Sequence, residues 1–101
     1  MKLWLDDLRL APEGWIRVKT AREAIERLRA GDIDVLSLDH DLGDEPGAGT
    51  GYEVSVWLEN EAVEGHWDVV PNEINTHSAN PVGAGNILAA IAAIGRMRKK
   101  R

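Results

Sequence analysis

A chain of 101 residues with 44% hydrophobic and 29% charged side chains fills one modest core, is too short for a second, and lies far from the disordered class. The absence of cysteine excludes disulfides and thiolate metal sites, so any metal is held by oxygen or imidazole ligands. The net charge of -5 conceals -10 over residues 1–95, since Arg96, Arg98, Lys99, Lys100 and Arg101 supply five of the twelve basic residues; so acidic a body repels nucleic acid unless a metal ion or the basic tail offsets it.

Lys2-Leu3-Trp4-Leu5 reads as a short strand that runs straight into Asp6-Asp7. Leu10 to Gly14 is a loop too short for a crossover helix, so the alternating segment Trp15-Ile16-Arg17-Val18-Lys19 is expected at a sheet edge, in either direction. Thr20-Ala21-Arg22-Glu23 places a hydroxyl at an N-cap and a carboxylate three residues on. Ala21, Ala24, Ile25 and Leu28 then follow at helical spacing, and Gly31 stands where a left-handed C-cap belongs.

Leu36-Ser37-Leu38-Asp39-His40-Asp41-Leu42-Gly43 is an apolar run that stops abruptly in two carboxylates around an imidazole. Carboxylates are costly to desolvate, so this stop implies that charge is needed at the strand end. The glycine-rich stretch Gly43 to Gly51 lacks the lysine of a P-loop and reads as a flap over a site or as a plain connector. Thr50-Gly51-Tyr52-Glu53 repeats the capping pattern. Val54, Trp57 and Leu58 form a stripe on a second helix that ends near Gly65.

Glu73 to Thr76 is strand-like and finishes in His77, Ser78 and Asn80. Asn80-Pro81 then announces a third helix with Ile87, Leu88, Ile91 and Ile94 on its apolar face, closed by Gly95 and the cationic tail. The tail offers weak RNA contact, or simply a solvated C-terminus. No apolar run approaches the roughly 18 to 20 residues of a membrane span, and Met1-Lys2-Leu3-Trp4 carries no secretory pattern, so a cytoplasmic protein is expected.

The order strand, strand, helix, strand, helix, strand, helix predicts an α/β layer fold with about four mostly parallel strands and three helices in one domain over residues 1–95, followed by the tail 96–101. Its functional groups belong at the carboxyl ends of the strands. Asp6-Asp7 after the first strand, Asp39 closing the central one and Ser78 after the next resemble the receiver domain of response regulators, a flavodoxin-like fold. In that family the acidic pair and the central aspartate bind magnesium, and the aspartate accepts a phosphoryl group. Two departures make the fold a truncated one: a loop replaces the family's first helix, and no fifth strand with its lysine follows Ile94.

Four blocks carry a closer likeness: Leu3-Trp4-Leu5-Asp6-Asp7-Leu8-Arg9, Ser37 to Gly43, Gly49-Thr50-Gly51-Tyr52 and His77-Ser78-Ala79-Asn80-Pro81-Val82-Gly83. Together they are similar to the branch known as cyclic-phosphate-processing receiver domains. That resemblance implies a phosphoesterase-like activity on cyclic phosphates.

The residues also have a reading of their own. Clustered carboxylates cannot all stay ionised without a partner, and a hard cation, Mg²⁺ or Mn²⁺, supplies one; Asp6, Asp7 and Asp39 are assigned to it. Asp41, two residues from Asp39 in an extended chain, is expected on the same side as a further ligand or a support. His77 is expected to carry the proton transfer, with His40 assisting or orienting Asp39, although a lone histidine at a strand end also serves as a satisfied structural group. Ser78, Asn80 and the amides of Ala84 and Gly85 are candidate phosphate donors at the third helix's start, and Arg9 reaches either a phosphate or a neighbouring acid. His66, beside Trp67, is incidental. Trp4 and Trp57 fit core positions; Trp15 and Trp67 are packing residues or platforms for a base.

Three functions follow: a metal-assisted hydrolase of a cyclic phosphate, on a small nucleotide or an RNA end; a signalling receiver phosphorylated on Asp39; or a module that binds a cyclic nucleotide without turning it over.

Overall fold

The computed structural model describes residues 1–42 and 47–101. In chain order the elements are β1 (Lys2–Leu5), β2 (Trp15–Val18), α1 (Ala21–Arg29), β3 (Val35–Leu38), α2 (Gly51–Val63), a short 3-10 turn (Trp67–Val69), β4 (Glu73–Thr76) and α3 (Pro81–Lys99). All strands run parallel, in the order β2-β1-β3-β4. β2 is at an edge, as the alternation required, and its direction is parallel to β1.

The helices start where the caps are written. Thr20 accepts the Glu23 amide while the Glu23 carboxylate returns to the Lys19 amide and the Thr20 hydroxyl. Thr50 caps α2 through the Glu53 amide, and Asn80 caps α3 through the Gly83 amide. Gly31 adopts φ +81° after α1, the left-handed conformation a glycine supplies at no steric cost. α3 does not stop at Gly95. Ile94 is enclosed, Met97 packs against the core and Arg98 donates to the Pro71 carbonyl, and these contacts carry the helix on to Lys99.

One face of the sheet holds the whole core. Leu3, Leu5, Leu36 and Leu38 are fully enclosed beneath α1, α2 and α3, together with Val54, Leu58 and Ile87. Each such leucine contributes about 1.5–3 kcal/mol. Strand alternation sends Lys2, Trp4, Trp15, Arg17, Val35, Ser37, Glu73 and Asn75 to the other face.

The topology explains why that face has no helix. The steps β2→β3 and β3→β4 move in one direction across the sheet, so right-handed crossovers put α1 and α2 on the same side. The step β1→β2 moves the opposite way, and a helix there would cover the second face, but the connection is a loop. Trp4 is therefore not a core residue as its strand position suggested. It stands half-buried on the uncovered face, edge-on to Trp15 at 5.6 Å between ring centroids. Trp57 packs against the core as expected; Trp67 does so too, with Arg98 and Arg101 over its ring.

Candidate functional site

The parallel ladder continues one residue past each strand end. The Asp6 amide donates to Val18, that of Asp39 to Leu5 and that of His77 to Leu38. Asp6, Asp39 and His77 therefore extend the uncovered-face rows that begin with Trp4, Ser37 and Asn75, and they converge at the carboxyl end of the sheet. Among the described residues they form the one group of three such side chains whose ligand atoms all lie within 4.8 Å of one another.

Asp6 is fully buried. Its Oδ1 accepts the amides of Leu8 and Arg9, both at 2.9 Å, and its Oδ2 faces His77 Nε2 at 3.1 Å. Burial alone would push this carboxyl up, but those two amides and His77 outweigh it and hold it below the ordinary carboxylate value. Asp39 is only 8% exposed and has the opposite environment. Burial, followed by the charge of Asp6, pushes it above the ordinary value. Among the described residues no side chain donates a hydrogen bond to it, and it has no ion-pair partner; the nearby charges of His77 and Arg9 and the His40 backbone amide offset the rise only in part.

His77 is held on three sides. Nδ1 lies 2.7 Å from the Ser37 hydroxyl, Nε2 meets Asp6, and the Trp4 ring stacks on the imidazole at 3.8 Å and 5°. Burial pushes its pKa down, against the pull of Asp6, so the neutral ring is favoured at pH 7. Neither Ser37 nor Trp4 was identified as a site residue by reading motifs. The signal was their position two residues before Asp39 and Asp6, a shared row that becomes visible only once the sheet is known to be uncovered there.

Other expected residues lie elsewhere. Asp41 does not join the group, because the chain leaves the sheet after Asp39 and the two-residue alternation ends. Asp41 pairs instead with His40 Nδ1 at 2.9 Å and with the Asn80 amide nitrogen at 3.4 Å, and the bond from His40 holds its carboxyl below the ordinary value. His40 is likewise outside the group, its ring pressed against the first turn of α3 so closely that a Cβ at Gly83 would overlap it. Asp7 is half-buried, and its Oδ1 is enclosed without a partner.

Ser78 accepts the Asn80 amide, and Asn80 caps α3, so both support the helix start. Gly85 lies too far along the helix to offer a free amide, since the Ala84 amide already bonds the Asn80 carbonyl and Gly85 is one residue further in. The Val82 amide is the donor of that turn left without a partner among the described residues. Arg9, half exposed, donates to the His77 carbonyl at 2.7 Å and stands 3.9 Å from Asp6 Oδ2, which places its guanidinium over the group.

The family model of the cyclic-phosphate processing receiver domain matches residues 1–93. The chain belongs to this family. Searches of curated proteins and of solved structures find no significant match. Membership of the cyclic-phosphate-processing receivers accords with the parallel, receiver-like sheet. The Asp6, Asp39 and His77 group also lies apart from a cleft of about 370 Å³ between α1 and the start of α2, which shares none of its residues.

The donor set fits a divalent cation. Asp6 and Asp39 would supply the carboxylate oxygens such a cation takes, from side chains whose ligand atoms lie within 4.8 Å of one another.

The expected flap lies partly outside the described residues, at Gly43–Pro46. Its described end is fastened: Ala48 is buried and its carbonyl accepts the Ala21 amide at 3.0 Å. The basic tail is at the far end of α3, roughly 28 Å from Asn80 at 1.5 Å per residue. Arg98 and Arg101 are engaged there with Trp67. His66 is exposed and bonds Glu61, far from the group. No helix among the described residues is long and apolar enough to cross a membrane.

Proposed function

We propose that this domain hydrolyses a cyclic phosphate, on a small nucleotide or an RNA end, with Asp6 and Asp39 holding Mg²⁺ or Mn²⁺. The observation that carries this reading is Asp39, a buried carboxylate without a side-chain partner that faces Asp6 and the imidazole of His77. The bound cation would polarise the phosphodiester and lower the pKa of a water.

The chain's own residues account for the proton. Neutral His77, in the form that carries its hydrogen on Nδ1 and presents a lone pair at Nε2, takes a proton from the attacking water as the new O–P bond forms. It then returns the proton to the ribose oxygen as that P–O bond breaks, leaving a phosphomonoester. Arg9, whose guanidinium stands over the group, would offset the charge that gathers on the nonbridging oxygens. Asp7, one oxygen of which is enclosed without a partner, is a further candidate for the cation.

The test is incubation with 2′,3′-cyclic and 3′,5′-cyclic nucleotides and with a cyclic-phosphate RNA end, in Mg²⁺ or EDTA, read by ³¹P NMR. Turnover is expected only with the metal, and His77→Ala should lower it by about 10²–10⁴-fold. Tight binding without any product, unchanged in His77→Ala, would replace the hydrolase with a sequestering module.

A further inference from the structure

Ser37 sits in the middle of β3, 5% exposed, with its hydroxyl on His77 Nδ1. Asp6 Oδ1 already accepts two backbone amides, the environment of a carboxylate, and a carboxylate only accepts. Nε2 must therefore carry the hydrogen that faces Asp6 Oδ2. A neutral imidazole has one N–H, so Nδ1 is a lone pair and the Ser37 hydroxyl donates to it. Rotating the ring by half a turn would put carbon against both Ser37 and Asp6, while Trp4 stacked on the ring fixes its plane.

Hydrolysis as proposed above requires the ring in two further forms: Nδ1–H with a free lone pair at Nε2 when it takes the proton of water, and the doubly protonated imidazolium before it gives that proton up. In both of these Nδ1 donates. A carbonyl or carboxylate at this position would suit those two forms and oppose the first, and a backbone N–H would do the reverse. A hydroxyl both donates and accepts from one atom by rotating about its C–O bond.

We propose that Ser37 is a positioning residue that keeps His77 Nε2 aimed at the site through every protonation form of the reaction. The inference rests on the hydrolase reading for its effect on rate, and on geometry alone for its effect on the ring.

The experiment separates the two. Nitrogen-15 NMR of the His77 ring in the full chain, above its titration range and with and without Mg²⁺, reports which nitrogen carries the hydrogen. Without Mg²⁺ the wild type should show a single Nε2–H form, which Asp6 holds in Ser37→Ala as well, while the Nδ1 signal of Ser37→Ala should move because its lone pair has lost the hydrogen bond from the hydroxyl. In the same preparations Ser37→Ala should lower kcat by about 10- to 100-fold with KM within about twofold, and Ser37→Thr, which keeps the hydroxyl, should restore most of the rate. Ring signals identical in wild type and Ser37→Ala overturn the proposal whatever the rate does, since a rate loss alone would then be structural. If the wild type turns over no cyclic phosphate, the hydrolase reading fails, and the ring signals still decide the role of Ser37.

Discussion

The two faces of one sheet obey different rules. On the helix side Leu3, Leu5, Leu36 and Leu38 are fully enclosed, and apolar area removed from water is the stabilising term. On the other side Trp4, Trp15, Arg17 and Val35 are half-buried, Lys2 and Asn75 are exposed, and ring stacking and hydrogen bonds replace the aliphatic packing. The Asp6, Asp39 and His77 group belongs to this second face, because these residues continue its rows. A missing helix between β1 and β2 thus does more than shorten the fold: it leaves the polar rows free to end in a site and lets a tryptophan support the histidine.

The largest effect that tests this contrast is a cavity on the covered face. Leu38→Ala should destabilise the protein by about 2–5 kcal/mol in urea unfolding, since Leu38 is fully enclosed and has no solvent route to fill the space it leaves. A loss below 1 kcal/mol would mean that the helices are not seated on the sheet as described.

A change at the site should have the opposite sign. Burial and Asp6 make Asp39 hold its proton more tightly in the folded state than in the unfolded chain. Below the unfolded value both states are protonated and the full stability is present; as pH rises through the folded value, ionisation of Asp39 takes stability away. At pH 7 without metal, Asp39→Asn should therefore melt higher than wild type. Mg²⁺ should raise the melting temperature of wild type, by about 2.7 kcal/mol of stability at one hundred times its dissociation constant, and should barely move the variant. A variant that melts lower without metal would show that Asp39 is already satisfied.

How much of this could be read from residues alone varies by element. The caps at Thr20, Thr50 and Asn80 are local, a side chain bonding an amide three residues on, and they are legible as motifs. The alternation of strands and helices, with the carboxylates at strand ends, led to the parallel sheet in the same way. The placing of the two histidines was legible only in part: His77 was expected to carry the proton transfer, but nothing local showed that His40 would lie outside the group. Both follow a strand end and both neighbour polar residues, yet one continues the sheet's ladder and the other lies beyond it, a difference set by where β3 and β4 stop pairing. Asp41 was misplaced for the same reason. Trp4 looked like core because a four-residue strand says which residues share a face but not which face a helix covers. The end of α3 was missed because the hold of Arg98 on Pro71 is a contact across 27 positions.

The smallest expected effect is the most discriminating for the uncovered face. Replacing valine by threonine trades a methyl for a hydroxyl at nearly constant volume, so its cost measures whether water reaches the site. Val18, 6% exposed on the helix side of β2, should lose about 1–3 kcal/mol on Val18→Thr, because the new hydroxyl is desolvated among aliphatic neighbours. Val35 occupies the opposite face of β3, half-buried and outside the core cluster, and Val35→Thr should change stability by no more than about 0.5 kcal/mol. Both positions lie in strands, where threonine and valine have similar preference, so backbone propensity cancels from the difference between the two variants. Equal losses would mean that Val35 is shielded from water as thoroughly as Val18. The claim that the site grows from an uncovered face would then fail, even though the helix-side core remained as described.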